Sequence, residues 1–274
     1  MSYIICDNCI EVRDEFFVPK HTLECGQLFR YEETPDGYVV YAGNRRAVLS
    51  SRGDTVIIGC DDTEYFRRYF DLDTDYLSIR TRIADGGIIS EAENFGKGIR
   101  ILKQELFETV MSFIISANNH IPRIKGIISR ICRDLGDDMG EYRAFPSPEK
   151  MCVGEDYYKG IGAGYRAAYL AESARAIADG ALEGIEQADT ESAGAMLMKL
   201  KGVGRKVADC ILLFGLGRTN LFPIDTWTRK VYNDYYGGGK DARSFFLNKF
   251  GSDAGYAQQY LYYYKRELEK YRRV

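Results

Sequence analysis

Hydrophobic residues fall into short runs broken by turns up to residue 60, and into helically spaced sets beyond it. QLFRYEE (27–33), GYVVYAG (37–43), RAVLSS (46–51) and TVIIGC (55–60) are rich in Val, Ile, Tyr and Phe. Thr34-Pro35-Asp36-Gly37, Gly43-Asn44 and Arg52-Gly53-Asp54 separate them as turn formers, so residues 26–60 read as a meandering antiparallel sheet. At DDTEYFRRYF (61–70) an acidic start precedes aromatics at helical spacing. Helices are predicted over 101–119, 121–136, 165–180, 191–200, 204–217, 225–236 and 252–273, with Gly136, Gly180 and Gly217 as C-terminal stops. Strands first and helices later indicate an α+β fold. The expected division is a sheet domain with a linking helix over 1–100 and a helical domain over 101–274. Residues 1–22 receive no structural role.

Composition narrows the class. At 274 residues, 45% hydrophobic and 28% charged, the chain can bury a substantial core. No run reaches the ~20 apolar residues of a membrane span, and acids stand where a secretory signal needs a basic and then an apolar stretch. The expectation is a soluble, intracellular monomer. Seven irregularly spaced cysteines suit free thiols in a reducing compartment. Cys6 and Cys9 have metal-knuckle spacing, but no second pair completes four ligands, so no metal or other cofactor is expected. The net charge of −3 argues mildly against nucleic acid. A local basic face suffices for phosphate, and Arg123, Lys125, Arg130 and Arg133, then Lys199, Lys201, Arg205 and Lys206, form two clusters. Charge alone reads equally well as a solvated helix face.

LKGVGRKVADC (200–210) is the most informative stretch. One helix ends at Leu200, Gly202-Val203-Gly204 makes a tight hairpin, and a second helix follows. The glycines admit unusual backbone conformations and close approach, and the amides of the new helix make an anion site. Such a hairpin (about 191–217 with its helices) can clamp a DNA phosphate without reading sequence; a plain glycine turn is the alternative. Lys206 lies in the first helical turn, where the helix field should lower its pKa and help supply the neutral amine a nucleophile needs. Asp225, in LFPIDTWTR (221–229), starts a further helix. It reads as an N-cap, a role compatible with an ionised carboxylate that stabilises a developing cation.

These motifs resemble the signature of the 8-oxoguanine DNA glycosylase family, within the helix–hairpin–helix glycosylases. LECGQLFRY (23–31), SFIISANNHIPRI (112–124), GAGYRAAY (162–169) and GYAQQYLY (255–262) extend the likeness over nearly the whole chain, in the family's order. The resemblance implies that Lys206 attacks the anomeric carbon and that Asp225 stabilises the cationic sugar, with strand cleavage by β-elimination. It implies that Gly26 accepts the proton on the ring nitrogen of 8-oxoguanine through its carbonyl and that Gln258 bonds the pairing edge. Cys210 and Tyr262 would cover the two faces of the base. Asn118 would fill the gap in the duplex, Tyr165 would wedge beside the orphaned base, and Arg123 and Arg166 would read it as cytosine. Gly202 and Gly204 would hold the phosphate, and the partner is double-stranded DNA containing oxidised guanine. Independently of the family, Lys206 and Cys210 are four apart on one helix face, as are Gln258 and Tyr262.

Two positions depart from the family pattern. Tyr262 stands where phenylalanine is frequent, and Trp227 where a phosphate-binding histidine is frequent, which puts that contact in doubt. No cysteine follows Cys210, so the iron–sulfur cluster of related branches is absent. A helix–hairpin–helix glycosylase for another damaged base, such as an alkylated one, is an alternative, but those enzymes typically lack the lysine. A non-catalytic DNA-binding module would need neither Lys206 nor Asp225.

Overall fold

The computed structural model describes residues 3–271 apart from 14 and 16, so the last two residues of the predicted helix 252–273 lie outside it. Six antiparallel strands form one sheet: β1 (Tyr3–Cys6), β2 (Cys9–Arg13), β3 (Tyr31–Thr34), β4 (Gly37–Ala42), β5 (Arg45–Arg52) and β6 (Thr55–Cys60), in the order β1-β2-β6-β5-β4-β3. Alternation decides the buried face: Ile10, Val12, Val40, Ala42, Ala47, Leu49, Val56 and Ile58 point into one core. The sheet therefore begins earlier than expected, since the N-terminal hairpin pairs Ile10 with Ile58 on β6. Its first strand leaves Ile4 and Ile5 exposed, which blurs the inward–outward pattern.

Gln27–Arg30, expected as strand, is instead a connection. The buried Gln27 amide donates to the Arg100 carbonyl at 2.7 Å and accepts from the Leu102 amide at 2.8 Å, so the polar side chain ties this loop to the later chain. Short helices α1 (Pro19–Leu23) and α2 (Thr63–Tyr69) flank the sheet, α2 capped by Asp62 as its acidic start suggests. Then come α3 (Tyr76–Ile83), α4 (Ile88–Phe95), α5 (Leu106–Ser116), α6 (Ile121–Leu135), α7 (Glu155–Gly160), α8 (Arg166–Ala178) and α9 (Thr190–Met198). The series ends with α10 (Arg205–Gly215), α11 (Thr226–Tyr235), α12 (Ala242–Phe250) and α13 (Ala254–Tyr271). Sequence reading missed α1, α3, α4, α7 and α12, all nine residues or fewer.

Two hydrophobic cores result. One lies under the sheet with Phe17, Phe66 and Phe70; the other gathers the helices from α3 onward and takes in Cys25 and Phe29 from the sheet side. A buried ion pair joins the halves: Arg30 meets Glu108 of α5 at 3.0 Å, and Glu108 also accepts from the Gly43 amide at 2.8 Å. Gly180 and Gly217 end their helices with φ of +89° and +64°. Gly136 differs: its φ is −78°, and a side chain there would run into the Ala144 carbonyl, so close approach is what calls for glycine. The seven cysteines are free thiols. On the first hairpin Glu11 joins Cys6 and Cys9, the three ligand atoms lying within 4.8 Å of one another, so the sequence reading missed a third donor.

Candidate active site

The hairpin between α9 and α10 is anchored by buried Leu200 and Val203, whose amide bonds back to the Leu200 carbonyl at 3.2 Å. Gly202 has φ +84°, and a β-carbon on it would stand 2.6 Å from the Tyr169 ring of α8. Conformation and space both demand glycine there. Gly204 is different. It N-caps α10 with ordinary φ (−90°), has no capping side chain, and a β-carbon would meet nothing within 4 Å. Its contribution is bareness: nothing crowds its Cα at the start of α10, where unpaired helix amides can seat an anion.

Lys206 follows in the first turn, partly buried, its amine 5.7 Å from the Phe113 ring of α5. Cys210, one turn on, is buried, which pushes its thiol up to about 11. The expected lowering of the lysine pKa does not occur. Cys210 first and the Asp225 carboxylate second favour the ammonium, and together they outweigh burial, which opposes it. The nearby carboxylate, and the thiol once it ionises, outweigh both burial and the helix position.

Asp225 caps α11. Its Oδ1 accepts from the amides of Trp227 (2.9 Å) and Thr228 (2.8 Å) and from the Thr228 hydroxyl (3.0 Å), while its own amide donates to that hydroxyl. Among the described residues Oδ2 accepts no hydrogen bond, so one oxygen is held and the other is available. Across from this pair runs α13. Gln258, Tyr262 and Arg266 recur every four residues on one face. Gln258 is buried, yet its Oε1 has no hydrogen-bond partner. The loop carrying Gly26 is fastened to the same helix: Gln259 donates to the Cys25 carbonyl at 2.8 Å and Arg266 donates to the Glu24 carbonyl. Gly26 sits at φ +83°, and a β-carbon there would lie 2.8 Å from the Tyr262 hydroxyl. Tyr262 thus rests directly against Gly26.

The remaining predicted residues form a second group. Asn118 is exposed at the turn after α5 with φ +48°, a strained conformation for a residue other than glycine. Arg166 maintains it, donating to the carbonyls of Ala117 and Asn118. Tyr165 is 55% exposed and its hydroxyl also reaches the Ala117 carbonyl, at 3.1 Å. Arg123 is exposed at the start of α6 and donates to the Gly162 carbonyl at 3.0 Å. Of the two arginines expected to read cytosine, Arg123 faces outward while Arg166 is only 2% exposed and spent on backbone carbonyls. The groups connect through α8, where Tyr165 packs edge-on against Tyr169, the ring under Gly202.

This geometry has counterparts. A family model described as the N-terminal domain of 8-oxoguanine DNA glycosylase matches residues 9–110. A probable N-glycosylase/DNA lyase of Methanothermobacter thermautotrophicus is 33% identical over 72% of this chain and 72% of its own length. The chain belongs to the 8-oxoguanine DNA glycosylase/lyase family. The Clostridium acetobutylicum 8-oxoguanine glycosylase/lyase, solved with double-stranded DNA containing cytosine opposite 8-oxoG, matches this glycosylase with a TM-score of 0.92 and 35% identity. That match covers 98% of this chain and 100% of the other. An N-glycosylase/DNA lyase of Arabidopsis thaliana is 29% identical over 88% of the glycosylase and 75% of its own length. The protein is therefore a bifunctional DNA glycosylase and AP lyase of base-excision repair.

Sequence reading missed several residues that build the glycosylase's site. Phe113 lies beside the lysine, Thr228 fixes the aspartate, and Gln259 and Arg266 moor the Gly26 loop. The only signal for Arg266 was its place one turn beyond Tyr262. Clefts of about 520 and 590 Å³ lie on the sheet side, lined among others by Tyr31 and Lys125, and by Arg45 and Asp62; neither includes Lys206. None of the helices among the described residues is long and apolar enough to cross a membrane.

Proposed function

We propose that the glycosylase excises 8-oxoguanine, preferably opposite cytosine, by attack of Lys206 on C1′ of a nucleotide flipped out of the duplex. What supports this most is the partly buried Lys206 amine, set between Cys210 and Asp225 behind a hairpin with bare amides. The amine must first lose the proton its neighbours favour. It then bonds to C1′ as the glycosidic bond breaks, and the bonding pair leaves with the base, which takes up a proton. Asp225 Oδ2 stabilises the positive charge that gathers on the sugar. The amine sheds its second proton and its lone pair opens the ring to an iminium, the C1′–O4′ bonding pair going to O4′, which takes up a proton. Removal of a proton from C2′ then expels the 3′ phosphate oxygen, cutting the strand on that side.

Recognition follows from the opposed faces. Gly26 accepts the N7–H that oxidation creates, and the unpartnered Gln258 Oε1 takes a donor of the pairing edge. Cys210 and Tyr262 sandwich the ring. Stacking of about 1–3 kcal/mol offsets the few kcal/mol of unstacking. Asn118 and Tyr165 occupy the vacated duplex position, Gly202 and Gly204 seat a phosphate, and Arg123 reads the orphaned cytosine. Arg166 supports that reading by holding the Asn118 turn. Acting on genomic DNA, the enzyme works within the cell and needs no cofactor, so base removal should continue undiminished in chelator.

Borohydride reduction tests the central step. It should trap a covalent adduct between the enzyme and DNA containing 8-oxoguanine, and Lys206→Gln should abolish trapping while DNA binding persists. Trapping that survives in this variant removes Lys206 from the role.

A further inference from the structure

Arg266 carries five N–H donors. Nε and Nη2 are engaged by Glu267 and by the Glu24 carbonyl. Nη1 has no acceptor in hydrogen-bonding geometry, although the residue is only 5% exposed; its polar neighbour is the Tyr262 hydroxyl, which favours the charged guanidinium. A buried, charged donor with no well-formed hydrogen bond is uncommon in a folded protein and calls for an explanation. Its position supplies one. Nη1 lies 3.3 Å from where a β-carbon of Gly26 would stand, and Arg266 shares a helix face with Gln258, whose Oε1 is likewise buried and unpartnered. An orphan donor and an orphan acceptor on one face, beside a left-handed glycine, describe a site missing its ligand.

We infer that Arg266 is a specificity-determining residue that reads the oxidised edge of the lesion jointly with Gly26, Nη1 donating to O8 while the Gly26 carbonyl accepts from N7–H. The inference rests on the excision of 8-oxoguanine proposed above. Oxidation changes two adjacent atoms of guanine at once: N7 turns from acceptor to donor, and C8 exchanges a hydrogen for an oxygen acceptor. A protein donor set next to a protein acceptor matches that edge at both points. Normal guanine fails at both, because its N7 lone pair meets the carbonyl and its C8–H leaves the guanidinium unpaired.

Because Arg266 also holds the Glu24 carbonyl, loss of activity in a variant would not separate reading from support. The test therefore varies the atom on the base. Single-turnover excision is measured for wild type, Arg266→Gln and Arg266→Lys on duplexes carrying 8-oxoguanine or 8-thioguanine, whose sulfur is a poor acceptor. Wild type should prefer the oxygen lesion by about 10-fold or more, Arg266→Gln should shrink that preference to within about twofold, and Arg266→Lys should fall between. If Arg266→Gln keeps the wild-type ratio, whatever its absolute rate, Arg266 does not contact O8. Should Arg266→Gln fail to fold, the Lys variant decides on the same ratio. Wild-type cleavage of abasic DNA, which needs Lys206 but offers no base to read, gauges the underlying mechanism separately.

Discussion

The two hairpin glycines give the sharpest stability test, because the same substitution should act through different physics two residues apart. Gly202→Ala places a methyl group in a left-handed conformation (φ +84°) and 2.6 Å from the Tyr169 ring. The conformation costs about 1–2 kcal/mol, and displacing a packed ring about 1–3 kcal/mol more. The sum of roughly 2–5 kcal/mol is a large share of the 5–15 kcal/mol typical of folded proteins. It should lower Tm by roughly 5–15 °C and move the urea midpoint down without changing the slope. Gly204→Ala meets no atom and no forbidden φ, so its stability should stay within about 0.5 kcal/mol of wild type. Its methyl instead stands where a phosphate must approach the first amides of α10, and DNA affinity should fall about 10- to 100-fold, the worth of charge-assisted hydrogen bonds. Urea unfolding and fluorescence-anisotropy titration at fixed salt measure the two effects. Equal destabilisation by both substitutions, or a cost below about 0.5 kcal/mol for Gly202→Ala, would refute this account of the hairpin.

Other outcomes follow from the site. Lys206 must be neutral to attack, and Cys210 and Asp225 hold its proton above the ordinary lysine range, so single-turnover excision should rise with pH by nearly tenfold per unit across neutrality; a flat profile would remove this deprotonation from the rate. Asp225→Asn deletes one of the groups favouring the ammonium, so the profile should move to lower pH while the plateau drops about 10²- to 10³-fold. An unmoved profile would contradict the pairing. Arg123→Ala should relax the preference for cytosine opposite the lesion, read from excision rates against the four opposing bases, with stability within about 0.5 kcal/mol because the residue is exposed. Glu108→Gln strands the buried Arg30 charge and should cost about 3–5 kcal/mol in urea unfolding.

What could be read from sequence was what depends on local rules. Hairpin glycines, the Asp225 cap and the spacing of Lys206 with Cys210 are written within a few residues of each other, and each reappears in the structure. The long amphipathic helices were legible for the same reason. Residues 9–13 were not, because their strand character comes from pairing with β6, a partner some fifty residues away, and among the described residues β1 in turn pairs only with β2. The lysine pKa was misjudged because the expectation weighed the helix end alone and left out Cys210, legible four residues on, and Asp225, which arrives through the tertiary fold. Arg166 illustrates the same limit: its motif identifies the neighbourhood, but only packing reveals that its N–H groups are committed to Ala117 and Asn118. The mooring by Gln259 and Arg266 was invisible, since nothing near them in sequence points to Glu24 or Cys25.

The mooring of the Gly26 loop by α13 has a consequence for synthesis. Gln259 reaches back across 234 positions to the Cys25 carbonyl, so this fastening is added to the earlier one at Arg100 and Leu102 only when almost the entire polypeptide has been made. A nascent chain that already displays its phosphate clamp and its amine still lacks the means to judge a base. On the proposed roles, discrimination is installed last, and an interrupted product ending before residue 254 would carry the amine of Lys206 without the helix that faces it.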